Sequence, residues 1–191
     1  MANSNNSAIT GKFSGTLNKE LVFRDWEGKT VVAKAPKARK GDPSPGQVEL
    51  RERFLLASIY AKSIADKDGG DQAMKDAYSR VLRPRQNLYS RALEDFLTPP
   101  VVKSIDASAY TGAVGGLIKV RAFDDFRVTA VQVEIYSAAG ALVEKGNAVQ
   151  EINGLDWDYT ATLANNPPAG SKVKAIATDV PGNAGTLELT L

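Results

Sequence analysis

The sequence predicts an α+β protein: an N-terminal β-hairpin, about three helices, then an all-β sandwich. Three observations predict it. Two β-prone runs, Glu20 to Trp26 and Lys29 to Ala35, are separated by Glu27-Gly28, a good two-residue turn. Between residues 44 and 98, apolar residues recur at helical spacing between recognisable starts and stops. Beyond Pro99-Pro100, seven or eight short β-rich runs, the eighth candidate being Val149 to Ile152, alternate with Gly-, Asn- and Pro-bearing turns. The chain divides accordingly into a tail (1–15), a hairpin and helical module (16–98) and a β-sandwich (101–191), with the prolines as a stiff boundary.

The tail is rich in Asn and Ser and has no apolar run after a charged start, so it reads as flexible and not as a signal peptide. In the hairpin, Leu21 and Phe23 alternate with Val22 and Arg24, giving one apolar and one mixed face. An isolated hairpin is marginal in water, so this one needs the helices or a partner chain against it. Pro36 ends it.

Ser44, Pro45 and Gln47 form an S-x-x-Q capping box with proline at the first helical position, which starts a helix there. Leu50, Phe54, Ala57, Ala61 and Ile64 then make one apolar stripe, and Asp66 to Gly70 ends the helix near Ala65. Asp71 caps a second helix, whose apolar face is Met74, Ala77, Tyr78, Val81 and Leu82. Arg83-Pro84-Arg85 breaks the pattern, because proline removes a donor and restricts the residue before it. A third face follows with Leu88, Ala92, Leu93, Phe96 and Leu97. In the C-terminal part, Ile118, Val120 and Ala122 alternate with Lys119 and Arg121, and Val131, Val133 and Ile135 with Gln132 and Glu134. Each strand therefore buries one face.

Composition removes much chemistry. The 191 residues contain no Cys and no His, which excludes disulfides, thiolate or imidazole metal sites, Cys nucleophiles and Ser-His-Asp triads. No P-loop, G-x-G-x-x-G or S-x-x-K arrangement in a helical context is present. Glu151, Asp156 and Asp158 suggest a carboxylate pair, but Asp156 and Asp158 flank Trp157 on a strand and point away from its face, so solvent exposure is the economical reading. The expectation is a protein without enzymatic activity and without a cofactor. No run approaches eighteen apolar residues, so no membrane span is expected; synthesis in the cytoplasm, without a signal peptide, follows as an expectation.

Residues 101–191, on the run IKVRAFDDFRVTAVQVEIYSAAG (Ile118 to Gly140), the Trp157 of DWDYTATL and the ending AIATDVPGNAGTLELTL with its A-x-D-x-x-G-N pattern, resemble the bacterial immunoglobulin-like modules of surface and phage proteins. That resemblance implies an immunoglobulin-like β-sandwich and names no single function. The basic hairpin followed by Ser44-Pro45-Gly46-Gln47, Arg51 and Phe54 looks like a group of uncharacterised hairpin-plus-helix proteins of Bacteroidota and their mobile elements. Those have Asn-Pro before the helix start where this chain has Asp42-Pro43 in a shorter connection. It implies no activity.

Charge supplies one alternative. Residues 1–100 hold 17 Lys and Arg against 12 Asp and Glu, and residues 101–191 hold 7 against 10. Lys29, Lys34, Lys37, Arg39 and Lys40 form the densest basic run, with Arg80, Arg83, Arg85 and Arg91 as further cations that could meet phosphates. No aromatic is interleaved for base stacking, so a solvated arm explains the run as well. Asp124 and Asp125 end one sandwich strand, while Asp179 and Asn183 flank the last turn, and in an immunoglobulin-like topology these loops share one end. They either bind calcium or shape turns; the turn reading is simpler, because no spacing matches a known calcium loop. The leading expectation is a structural or binding protein, self-associating or built into a phage particle or prophage-derived assembly. Phe23, Trp26 and Val31 are its candidate assembly surface, although Trp26 also suits a hairpin core. Nucleic-acid association and surface adhesion are the alternatives.

Overall fold

The computed structural model describes residues 2–4, 14–26, 29–37 and 41–191. It is an α+β architecture with an N-terminal hairpin, three helices and following sheets. Two compact units are present, Met1–Ser44 and Pro45–Leu191.

In the first unit, β3 (Leu21–Trp26) and β4 (Lys29–Lys34) pair antiparallel as the alternation requires, from Leu21 opposite Lys34 to Trp26 opposite Lys29. The expected turn at 27–28 lies outside the described residues. Two short strands extend the hairpin on either side: β1 (Ala2–Ser4) on β4 and β2 (Gly15–Leu17) on β3. The first lies within what reads as a flexible tail, and the second begins at that tail's last residue. Open hydrogen-bonding edges on β3 and β4 recruit them through the backbone, which side-chain composition does not reveal. Trp26 is 69% exposed and is not hairpin core; among the described side chains of this unit only Thr30 is buried. A single twisted layer has no second layer of its own to bury a face against.

The second unit begins with α1 (Pro45–Ala65), where proline occupies the first helical position. Asp71 caps α2 (Gln72–Ser79) by accepting from Ala73 N and Met74 N. Asn87 and Ser90 form a capping box at α3 (Leu88–Leu97) just beyond Pro84. Ala57, Ala61 and Ile64 of α1 are buried, whereas Leu50 and Phe54 of the same stripe are 64% and 50% exposed. Length explains the difference. At 10 residues α3 is about 15 Å long, against about 31 Å for the 21 residues of α1, so it covers only half of its neighbour.

Of the seven or eight runs expected in the C-terminal part, eight form strands: β5 (Val101–Asp106), β6 (Leu117–Phe123), β7 (Val128–Tyr136), β8 (Leu142–Asn147), β9 (Val149–Gln150), β10 (Asp156–Thr160), β11 (Lys172–Asp179) and β12 (Ala184–Thr190). They build two four-stranded sheets, ordered β5-β6-β10-β9 and β12-β11-β7-β8. Ile118, Val120 and Ala122 of one sheet and Val131, Val133, Ile135, Val173 and Ala175 of the other are fully buried in one shared core with Trp157 and Tyr159.

The boundary expected at Pro99-Pro100 does not separate compact bodies. Phe126, in the β6–β7 connection, packs into the helical core of Ala61, Ile64, Tyr78 and Ala92, its ring stacked on Tyr78 at 4.2 Å. Pro100 itself is buried, its carbonyl oxygen pressed against Gly185 of β12. The prolines are a packed corner between α3 and β5, and the chain divides instead after Ser44.

Candidate functional site

Four acids gather where α3 meets the ends of the two sheets. Asp95 comes from α3, Asp124 and Asp125 from the β6–β7 connection and Asp179 from the end of β11. One carboxylate oxygen each from Asp95, Asp124 and Asp125 lies within 4.8 Å of the other two, with Asp95 buried and Asp125 exposed. Asp95 is 0% exposed, and its Oδ2 accepts a 2.6 Å hydrogen bond from the Tyr78 hydroxyl. Tyr78 has one proton to give, so Tyr60, 2.8 Å away, donates to Tyr78 in turn.

Burial, with Asp124, Asp125 and Asp179 close by, pushes the Asp95 carboxyl up to about 7 although the Tyr78 bond acts against the shift. Burial also raises Asp179, against its bonds from Asn183. The Tyr78 hydroxyl is driven up by burial and then by its bonds to Asp95 and Tyr60, so it stays protonated. The one guanidinium bonded to this cluster among the described residues is Arg91, 1% exposed. Its Nη1 donates to Asp125 Oδ2 at 2.7 Å and its Nη2 to the Asp125 carbonyl at 2.6 Å. Burial acts to lower the Arg91 pKa, but Asp125, with Glu94 and Asp95 beyond it, together more than reverse that and hold it charged.

Of the residues named from sequence for calcium, Asp124 and Asp125 converge, and Asp179 lies close enough to perturb Asp95. Part of their work is turn formation. Asp124 Oδ2 accepts from Phe126 N and Arg127 N, and Asp179 accepts from both the backbone and the side-chain amide of Asn183. Asn183 also donates to the Phe96 carbonyl, tying the β11–β12 turn to α3. Sequence reasoning missed Asp95, Tyr78 and Arg91 as members of the site. Asp95 and Arg91 occupy buried positions of α3 where periodicity asks for apolar residues, and the four-residue spacing of Arg91 and Asp95 on one helix face was the available signal.

The basic residues do not converge in the same way. Lys29 and Lys34 lie five positions apart on β4 and so face opposite sides of the sheet, and Lys37 is exposed beyond its end. Arg39 and Lys40 lie outside the described residues. Arg91 is buried against Asp125, and Arg83 is paired with Glu94 at 2.6 Å, so neither is a spare cation for phosphate. Of the assembly candidates, Phe23 and Val31 are half-buried, and Trp26, Arg24, Val31 and Ala33 line an open recess of about 360 Å³ on the first unit.

Comparison with known proteins adds no family. No protein-family model matches the chain, and no curated protein matches it. Among solved structures it is similar to the crystal structure of an engineered protein, at 20% identity and a TM-score of 0.31, over 63% of this chain and 26% of that one. The chain spans about a quarter of that protein's length, and a likeness this slight bears on neither fold nor function.

The other acids are engaged structurally. Asp156 is buried, not exposed as its strand position suggests, because Arg121 from β6 grips both its oxygens at 2.7 and 2.8 Å; these bonds hold its carboxyl down at about 2. Lys119 donates to Glu151 at 2.6 Å and lies 3.8 Å from Asp158. A carboxylate pinned by a guanidinium and kept ionised is unsuited to act as a general acid near neutrality.

Proposed function

We propose that this chain is a non-enzymatic structural or binding protein that self-associates through its N-terminal part and carries an immunoglobulin-like β-sandwich. The sandwich reading is supported by strand order. With β5, β6, β10 and β9 read as A, B, E and D, and β12, β11 and β7 as G, F and C, the two sheets follow the immunoglobulin arrangement, β8 being one added strand beside C. Trp157 then belongs to the E strand, inside the shared core.

The observation that carries the assembly reading is uncovered apolar surface. On α1, Val48, Leu55, Leu56 and Ile59 form a second stripe, opposite Ala57 and Ala61, and all four are 39–60% exposed; on the first stripe, Leu50 and Phe54 are also uncovered, at the end of the helix beyond α3. A helix apolar on two opposed faces calls for partners on both, and monomers rarely leave so much contiguous apolar surface in water. Separately, the sheet of the first unit exposes Leu17, Leu21 and Trp26. Further copies of the chain would cover these surfaces at roughly 1.5–3 kcal/mol per large side chain fully buried. A phage particle or a prophage-derived assembly is the setting that the immunoglobulin-like resemblance favours. No helix among the described residues is long and apolar enough to cross a membrane.

Multi-angle light scattering across a dilution series tests this. The wild-type chain should form a defined multimer, and Leu55→Glu combined with Ile59→Glu should return it to one chain per particle with an unchanged circular dichroism spectrum. Phe23→Asp and Val31→Asp test the first unit in the same way. A wild-type chain that stays monomeric at high concentration defeats the proposal.

A further inference from the structure

Two carboxylate oxygens of the acidic cluster have no partner. Asp95 Oδ1 belongs to a side chain with no solvent exposure, its Oδ2 being occupied by Tyr78. Asp124 Oδ1 is likewise buried and unpartnered, its Oδ2 being spent on two backbone amides. Buried polar atoms in folded proteins nearly always have a partner. Once both acids are ionised, their unpaired oxygens cannot supply one another, since an ionised carboxylate only accepts, and a bound cation must then displace the proton that the cluster holds. The nearby guanidinium does not fill the gap, because Arg91 gives Nη1 and Nη2 to Asp125 and its buried Nε bonds to neither oxygen.

We propose that Asp95, Asp124 and Asp125 hold a divalent cation of the calcium class at the junction of α3 and the β6–β7 connection. Calcium takes oxygens at about 2.3–2.6 Å, so two ligands on opposite sides of one ion stand about 4.8 Å apart, the limit within which these three carboxylates fall. The ligand set is oxygen alone, as a chain without His or Cys requires, and it suits a hard cation over zinc or copper. The buried Asp95 closes the inner side. Asp125 stands at the surface, where the ion enters and where water completes the six to eight ligands. Asp179 adds negative charge nearby without donating a ligand, because both its oxygens are bound by Asn183. The ion would lock α3, and with it the helical core, to the sheets. This proposal is independent of self-association.

The test uses the full chain stripped with a chelator. Terbium, a luminescent calcium substitute, should be sensitised by Tyr78, whose hydroxyl bonds to Asp95; emission should saturate at one ion per chain and be displaced by calcium. At about a hundredfold excess over its Kd, calcium should raise the melting temperature by about 5 °C or more. Asp124→Asn should abolish both responses, and Asp95→Asn, which keeps an acceptor for Tyr78 and removes one ligand charge, should weaken them should the first variant fold poorly. Wild-type chain showing neither sensitised emission nor a thermal shift with millimolar calcium overturns the proposal. So does full retention of both responses in a folded Asp124→Asn variant, or a thermal response to magnesium alone.

Discussion

The Tyr78 hydroxyl gives its proton to Asp95 Oδ2 at 2.6 Å, joining α2 to α3 at the point where the helical core meets the sheets. With Tyr60 behind Tyr78 and Phe126 stacked on its ring, this bond lies inside a close-packed cluster. The acid it serves is the most buried carboxylate of the junction.

A pH dependence follows for the chain free of divalent metal. The folded-state pKa of Asp95, about 7, lies above its ordinary value of 3.8, so between those values the folded state binds a proton that the unfolded state has released. The Asp95 contribution to stability is therefore best at low pH, is lost as pH rises from about 4 to about 7, and is level above that. Asp95→Asn keeps an acceptor for Tyr78 and removes the charge. Its stability relative to wild type, from urea unfolding in chelator, should be near zero at pH 5 or below zero and should rise to a gain on the order of 2 kcal/mol by pH 8. A difference that does not change with pH would refute the assignment.

Arg91 gives a second expectation. Its guanidinium is buried and holds both the side chain and the backbone of Asp125. Removing one member of such a pair strands the other, so Arg91→Met should cost about 3–5 kcal/mol in chemical unfolding. Arg91→Lys should recover only a fraction, because an ammonium cannot bridge a carboxylate and a carbonyl with one planar fork. Equal stability of the lysine variant and wild type would show that charge alone matters there.

How far the sequence reveals these features depends on whether a residue answers to local periodicity or to a distant partner. Ile118, Val120, Ala122, Val131, Val133 and Ile135 are buried as their alternation requires, because a strand with one face on a core has no other way to be patterned. That Asp124, Asp125 and Asp179 are neighbours is legible from topology, since loops at one end of a two-sheet layer meet. Asp95 was not, because its reason for lying inside a helix is Tyr78, 17 residues away. Asp156 misled for the same reason: Arg121 that covers it is 35 residues away. On α1, one apolar stripe sufficed to predict the helix, which left the opposed stripe of Val48, Leu55, Leu56 and Ile59 unread. The packed corner at Pro100 was invisible, because two adjacent prolines read as a linker whatever they pack against.

That corner yields a third prediction. A Cβ on Gly185 would collide with the Pro100 carbonyl oxygen, a backbone atom held by a buried proline. Gly185→Ala must therefore part β5 from β12 and should destabilise by about 1–3 kcal/mol or more. Gly46→Ala, in the first turn of α1 with no atom near the new methyl, serves as the control and should stabilise by a few tenths to about 1 kcal/mol. Thermal melts of the two variants should move in opposite directions.

The two faces of α1 separate folding from association. Ala61 is fully buried against Tyr78 and Ala92, so Ala61→Glu places an unpaired charge in the helical core and should remove most of the cooperative melting of that core. Leu55 is 60% exposed, and Leu55→Glu at a concentration where the chain is monomeric should change stability by no more than about 0.5 kcal/mol. Circular dichroism and urea unfolding at high dilution measure both. A large loss from Leu55→Glu under those conditions would mean that the outer stripe is already covered within a single chain, and copies of the protein would then have no use for it.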